Sequence, residues 1–142
     1  IVTNANAEWV NVATNDYMPL LEKMIKDKEI QLVSANDLYS KYYPDNPSIW
    51  KICAYYGVYR GVRDNNKTKQ IKTMMAFGDT IHDIYSAWIL HPKVNTIRSY
   101  KYMIHPTMKQ LLKQTSLMLK RLSILNIRSL NTSSHVNLSK RR

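Results

Sequence analysis

The longest periodic signal in the chain lies near its C-terminal end. Met108, Leu111, Leu112, Thr115, Met118, Leu119, Leu122 and Leu125 recur at three- and four-residue intervals, the spacing that brings side chains onto one face of an α-helix. Pro106 suits the first turn of such a helix, where its missing N–H costs little, so the pattern predicts one long helix over about 106–127. The same stretch is basic. Lys109, Lys113 and Lys120 fall on one stripe beside the apolar face, and Arg121 and Arg128 fall seven residues apart on another.

That basic character extends well beyond the helix. The net charge is +11, and it is unevenly placed. Residues 1–83 carry all the acids of the chain, balanced by Lys23, Lys26, Lys28, Lys41, Lys51, Arg60, Arg63, Lys67, Lys69 and Lys72, whereas residues 84–142 contain no Asp or Glu. Solvated helices ordinarily mix signs, because opposite charges four residues apart stabilise and like charges repel. A long region purged of acids predicts a polyanionic partner. Nucleic acid is favoured over membrane, because no segment pairs a Trp/Phe-rich face with a Lys-rich one.

The remaining chain reads as shorter helices. Residues 1–14 show no clear period. Asp16 is read as the cap of a helix containing Leu20, Leu21, Met24 and Ile25, with Pro19 in its first turn. "SANDLYSKYY" (34–43) follows, capped by Ser34 and stopped by "PDNP". "SIWKICAYYGV" (48–58) is read as a helix capped by Ser48 and closed by Gly57 at its C-terminal end. "RGVRDNNKTK" (60–69) is read as a basic loop, "QIKTMMAFG" (70–78) as a helix ending at Gly78, and "DTIHDIYSAWIL" (79–90) as a capped turn or short helix. Val94 and Ile97 suggest a further helix within 91–105, and "NTSSHVNLSKRR" (131–142) is too polar to pack and is expected to be extended. With no convincing strand pair, the fold class expected is all-α. Trp50, Ile52, Tyr56, Met108, Leu111, Leu112, Met118 and Leu122 are the expected core.

Catalytic signals are poor. His82, His91, His105 and His135 are scattered, and with the single Cys53 they give no zinc spacing. "GVYRG" (57–61) lacks the Gly-Lys-Ser/Thr ending of a phosphate-binding loop. No enzyme activity, metal or cofactor is expected. One cysteine fits a reducing compartment. No apolar run is long enough to span a bilayer and no signal-peptide core is present at Ile1, so a soluble polypeptide is expected.

Several of these segments, in this order, resemble a known family. "YPDNPSIWKICAYYGV" (43–58), "MMAFG" (74–78) and "HPKVNTIRSYKYMIHPTMKQLLKQTSLMLKRL" (91–122) are similar to the universal small-subunit ribosomal protein thirteen family, with "LKRL" in the place of the family's "IKRL". The resemblance implies a helical RNA-binding domain over 41–130, with a helix-two-turn-helix core and then a long basic helix, preceded by a partly helical N-terminal extension (1–40) and followed by a short, extended polar and basic tail (131–142). It implies a structural, rRNA-binding role in the head of a small ribosomal subunit, in the mitochondrial matrix or, as the alternative, the cytoplasm. Small-subunit rRNA, neighbouring head proteins and the large subunit's fifth protein across the interface are the partners implied. The short tail makes a P-site tRNA contact doubtful. The RNA-binding candidates are Arg60, Arg63, Lys67, Lys69, Lys109, Lys113, Lys120, Arg121, Arg128, Lys140, Arg141 and Arg142, with Gly57 and Gly78 at turns. Arg128 matches the family's "YRG" arginine. The other readings are a helix-turn-helix DNA-binding regulator, built on 49–63, and a helical viral nucleoprotein coating RNA.

Overall fold

The structure is a computed structural model and describes residues 1–65, 71–127 and 134–138. The chain forms two compact units, Ile1–Lys67 and Thr68–Arg142.

The first unit is mainly helical around a minimal parallel strand pair. Strand β1 (Val2–Thr3) leads into α1 (Ala7–Tyr17) and α2 (Pro19–Asp27); β2 (Val33–Ser34) leads into α3 (Ala35–Tyr39) and α4 (Pro47–Asn65). β1 and β2 pair with Val2 opposite Val33 and Thr3 opposite Ser34. Side-chain caps explain where three of these helices start. Asn6 Oδ1 accepts from the Trp9 N–H at 2.8 Å, Ser34 Oγ from the Asp37 N–H at 3.0 Å, and Asn46 Oδ1 from the Ile49 N–H at 3.2 Å; each occupies a donor that the helix cannot satisfy itself. Ser34 also donates to the Ala5 carbonyl at 2.9 Å, and Asp37 accepts from the Ala7 N–H at 2.8 Å. One short segment therefore starts α3 and anchors the chain just before α1.

Three local expectations are corrected here. Residues 7–17 are helical, so Asp16 lies inside α1 and does not cap α2, which opens on Met18 and Pro19 without a side-chain cap. Asn46, not Ser48, caps α4. Gly57 does not end that helix: α4 continues through Gly57 and Gly61 to Asn65, and no glycine among the described residues has a positive φ. Glycine permits a helix stop but does not impose one, and the run "VYRGVRDN" lacks a proline to break it. Without a break at Gly57, the turn required for a helix-turn-helix reader over 49–63 is absent.

The second unit overturns the all-α expectation. Its described order is β3 (Thr73–Gly78), α5 (Ile81–Trp88), a single 3-10 turn (His91–Lys93), β4 (Thr96–Lys101), α6 (Met108–Ile127) and β5 (Ser134–Asn137). The strands form a parallel sheet in the order β3-β4-β5, with Thr73 opposite Thr96, Gly78 opposite Lys101, Arg98 opposite Ser134 and Lys101 opposite Asn137. Thus "MMAFG" is strand where helix was expected, "HPKVNTIRSYK" is a 3-10 turn and a strand, and part of the tail adds a third strand. A central parallel strand is covered on both sides and carries no two-residue alternation. Residues 96–100 of β4 are all buried, so their polarity pattern conceals the strand. Thr96, Ile97 and Tyr100 have the branched or aromatic side chains that fit a pleated sheet.

Alternate residues of β4 serve two cores. On one face, Ala76 and Ile97 are buried together with Ile84, Ala87, Leu90 and Val94, and α5 packs against β3 and β4. The Trp88 indole N–H donates to Ser99 Oγ at 2.8 Å on this side. On the other face, Tyr100, Met118 and Leu138 form a cluster, with Tyr102, Leu122 and Val136 packed on it. Phe77 stacks on Tyr100 with ring centroids 5.2 Å apart.

The long helix is present, but rotated from its expected face. Met118 is buried and Leu122 half-buried, whereas Met108, Leu112 and Leu119 are 80%, 69% and 62% exposed. Leu111 and Tyr56 are exposed as well, and Trp50 and Ile52 are half-buried; of the eight expected core residues only Met118 is fully enclosed. Leu125 lies outside the described side chains. The buried row of α6 begins instead with Gln114, whose Oε1 accepts from the Met103 N–H at 2.8 Å. A buried amide serves there because the chain leaving β4 carries a backbone donor that needs a partner.

Candidate nucleic-acid interface

α6 displays most of the described basic candidates. Lys109, Lys113 and Lys120 are exposed and lie within about 40° of one another around the helix at 100° per residue, with Ser116 completing the stripe. Arg121 is exposed but projects from another side of the helix. The neighbouring stripe on α6 is Met108, Leu112, Thr115 and Leu119, also exposed. The helix therefore has three surfaces: one packed on the sheet, one basic and one apolar and open.

Arg60 and Arg63 lie on α4 in the first unit, not on a loop. Both are exposed. The Arg63 guanidinium lies 2.7 Å from Asp64 Oδ1, and its Cζ is 5.9 Å from the centre of the Tyr59 ring. The Asp64 hydrogen bond, together with that carboxylate's charge, raises the Arg63 pKa. Lys67, Lys69, Arg128, Lys140, Arg141 and Arg142 lie outside the described residues. Of the two turn glycines, Gly57 is helical and Gly78 ends β3.

Several residues near these elements escaped the sequence reading. Arg98 is 6% exposed on the central strand, on the side opposite the Trp88–Ser99 bond. Lys101, the last residue of β4, donates from Nζ to the carbonyls of Asp79 at 3.0 Å and Tyr102 at 3.2 Å, bridging the ends of two parallel strands. Once β4 is recognised as a strand its two-residue period sorts these positions; read as a helix, it does not.

The second unit contains two acids, Asp79 and Asp83. Asp83 is buried at the start of α5, where its carboxylate accepts from the Thr80 N–H at 3.0 Å and the Thr80 hydroxyl at 2.8 Å, while Thr80 Oγ1 accepts from the Asp83 N–H at 3.2 Å. This reciprocal capping box uses the carboxylate structurally. Among the described residues no three His, Cys, Asp or Glu side chains are grouped to hold a metal ion. No described helix is long and apolar enough to cross a membrane. In the first unit an open groove of ≈ 260 Å³ runs along α4, with Ala54, Gly57, Val58 and Gly61 on one wall and Val33, Leu38 and Tyr39 on the other. Burial, and secondarily the charge of Cys53, pushes the Tyr39 hydroxyl above its ordinary pKa.

Searches against family models, curated proteins and solved structures match none of them to this chain.

Proposed function

We propose that this chain is a non-catalytic RNA-binding protein that works within a ribonucleoprotein assembly, with α6 as its main phosphate-contacting element. The Lys109/Lys113/Lys120 stripe carries the reading. Three exposed lysines share one side of a helix within a region, 84–142, that contains no Asp or Glu. Phosphates are the natural counter-charge for such a stripe, and lysines contribute affinity there without reading sequence. The open apolar stripe of Met108, Leu112 and Leu119 is the type of surface that protein neighbours cover in an assembly.

The finer assignment to the head of a small ribosomal subunit, and to mitochondria, rests on sequence resemblance. Two segments that carry it, 74–78 and 91–105, are strand and turn where the family pattern calls for helices. RNA binding is accordingly the class proposed, and the small subunit is the first assembly to test. A second reading has its own support: an apolar stripe beside a lysine stripe on one helix also suits an anionic membrane surface. Sedimentation of the full chain with structured RNA and, separately, with vesicles containing 30% phosphatidylserine discriminates the two. The RNA reading predicts RNase-sensitive co-sedimentation and no vesicle binding at the same ionic strength; the reverse pattern overturns it.

A further inference from the structure

The outward face of α4 carries an arrangement distinct from the lysines of α6. Tyr56, Tyr59, Arg60 and Arg63 follow one another at i, i+3, i+4 and i+7, which places them on one side of the helix. Ala54, Gly57, Val58 and Gly61, which line the groove with α3 and β2, occupy the opposite side. The Tyr56 and Tyr59 rings lie 6.1 Å apart and are inclined by 35°. The Arg63 guanidinium continues the row 5.9 Å from the Tyr59 ring. Tyr56, Arg60 and Arg63 are exposed and Tyr59 is half-buried. Asp64 offsets part of this charge through its pairing with Arg63; Lys51, Arg60 and Arg63 leave α4 with a net positive balance.

We infer that this face is a stacking platform for the bases of single-stranded RNA. The inference rests on the RNA-binding reading and adds a strand preference to it. Large aromatic surfaces followed by a planar guanidinium offer successive π-faces to unstacked bases, and the adjoining cation accommodates the phosphate linking them. A duplex hides its base faces and offers this row only phosphates. At 6.1 Å and 35° the two rings do not form a closed face-to-face sandwich. An exposed and a half-buried tyrosine ring in this arrangement thus favour single strands over duplexes, a distinction that a lysine stripe does not make.

The test uses the full chain with a ten-nucleotide single strand carrying 2-aminopurine at its centre, and with a blunt RNA duplex of equal charge. The wild-type protein is expected to bind the single strand more tightly and to quench the probe. Tyr59→Ala and Tyr56→Ala should each weaken single-strand binding by roughly 5- to 150-fold, the range for losing one base-stacking partner. They should leave duplex affinity and the salt dependence of binding unchanged. Tyr59→Phe should retain the quench. A variant that has lost its fold would fail on both nucleic acids, which separates misfolding from lost stacking. If Tyr59→Ala and Tyr56→Ala bind and quench as wild type, the platform is overturned while RNA binding through α6 stands. If the wild-type chain binds neither nucleic acid, both readings fall.

Discussion

Gly78 and Asp83 approach so closely that a Cβ on Gly78 would lie 2.2 Å from Asp83 Cβ and 2.6 Å from its Cγ and Oδ2. The end of β3 and the start of α5 are thereby locked together, since the same carboxylate completes the Thr80 capping box. Gly78 is needed here for space, its φ being negative like that of every described glycine. Gly78→Ala should destabilise the second unit by about 1–3 kcal/mol through overpacking, with a further ~0.5–2 kcal/mol if Asp83 is driven from the cap. In Gly78→Ala/Asp83→Gly the two costs should fall short of additive, because the Asp83 Cβ, Cγ and Oδ2 that the new methyl would meet are all gone. Urea unfolding of the single and double variants measures this; strict additivity would contradict the contact.

Gly57 and Gly61 should behave in the opposite sense. Both sit within α4, where glycine costs about 0.5–1 kcal/mol relative to alanine. A Cβ at Gly61 meets nothing within 4 Å, while one at Gly57 comes 3.2 Å from the Tyr39 hydroxyl oxygen. Gly61→Ala should therefore stabilise the protein by most of that amount, and Gly57→Ala by less, because Tyr39 must yield a few tenths of an ångström. Were Gly57 the end of the helix in a left-handed conformation, Gly57→Ala would be clearly destabilising. Thermal unfolding of the two variants distinguishes these cases.

Ser99 is fully buried and accepts the Trp88 indole N–H. Ser99→Ala leaves that donor facing a methyl group, at a cost of about 1–3 kcal/mol, toward the lower end because Trp88 keeps partial access to water. Near-ultraviolet circular dichroism should show Trp88 loosened before the sheet is lost. An unaltered tryptophan signal and unaltered stability would argue against the bond.

Alkaline pH should weaken the fold through Tyr39 and Tyr102. Burial pushes both phenols above the ordinary tyrosine pKa of 10.0. The folded chain then holds protons that the unfolded chain releases, so this stabilisation is complete below pH 10 and is lost as pH rises through the folded-state values. Tyr102→Phe should flatten the decline above pH 10 without altering it below. A profile equally steep in the variant would remove Tyr102 from the account.

The helical part of the fold was legible in residues whose job is local. Ser34 caps α3 as its side chain suggests, and the apolar period from Met108 marks α6. The sheet was hidden because its signals are non-local: Thr96–Tyr100 is buried on both faces and so loses its alternation, and the Met-Met-Ala-Phe run of β3 reads equally as helix or strand until a partner is known. The face of α6 was misjudged for a related reason. Gln114 looks like a surface residue until the Met103 N–H requires it, and accommodating it turns Leu112 and Leu119 outward. In the basic candidate site, exposure of the α6 lysines followed from charge alone, whereas the Tyr56–Tyr59–Arg63 row depended on α4 passing through Gly57.

The most direct test of the account is the salt dependence of RNA binding by the full chain and by Lys109→Ala/Lys113→Ala/Lys120→Ala. Each phosphate contact contributes about 0.7 to the slope of log K against log salt on single strands and about 0.9 on duplex DNA. If the three lysines on α6 each hold a phosphate, the triple variant's slope should be shallower by roughly 2–3 units, while its stability stays near wild type because all three side chains are exposed. A slope identical to that of the wild-type chain would contradict the assignment of α6 as the RNA-binding element.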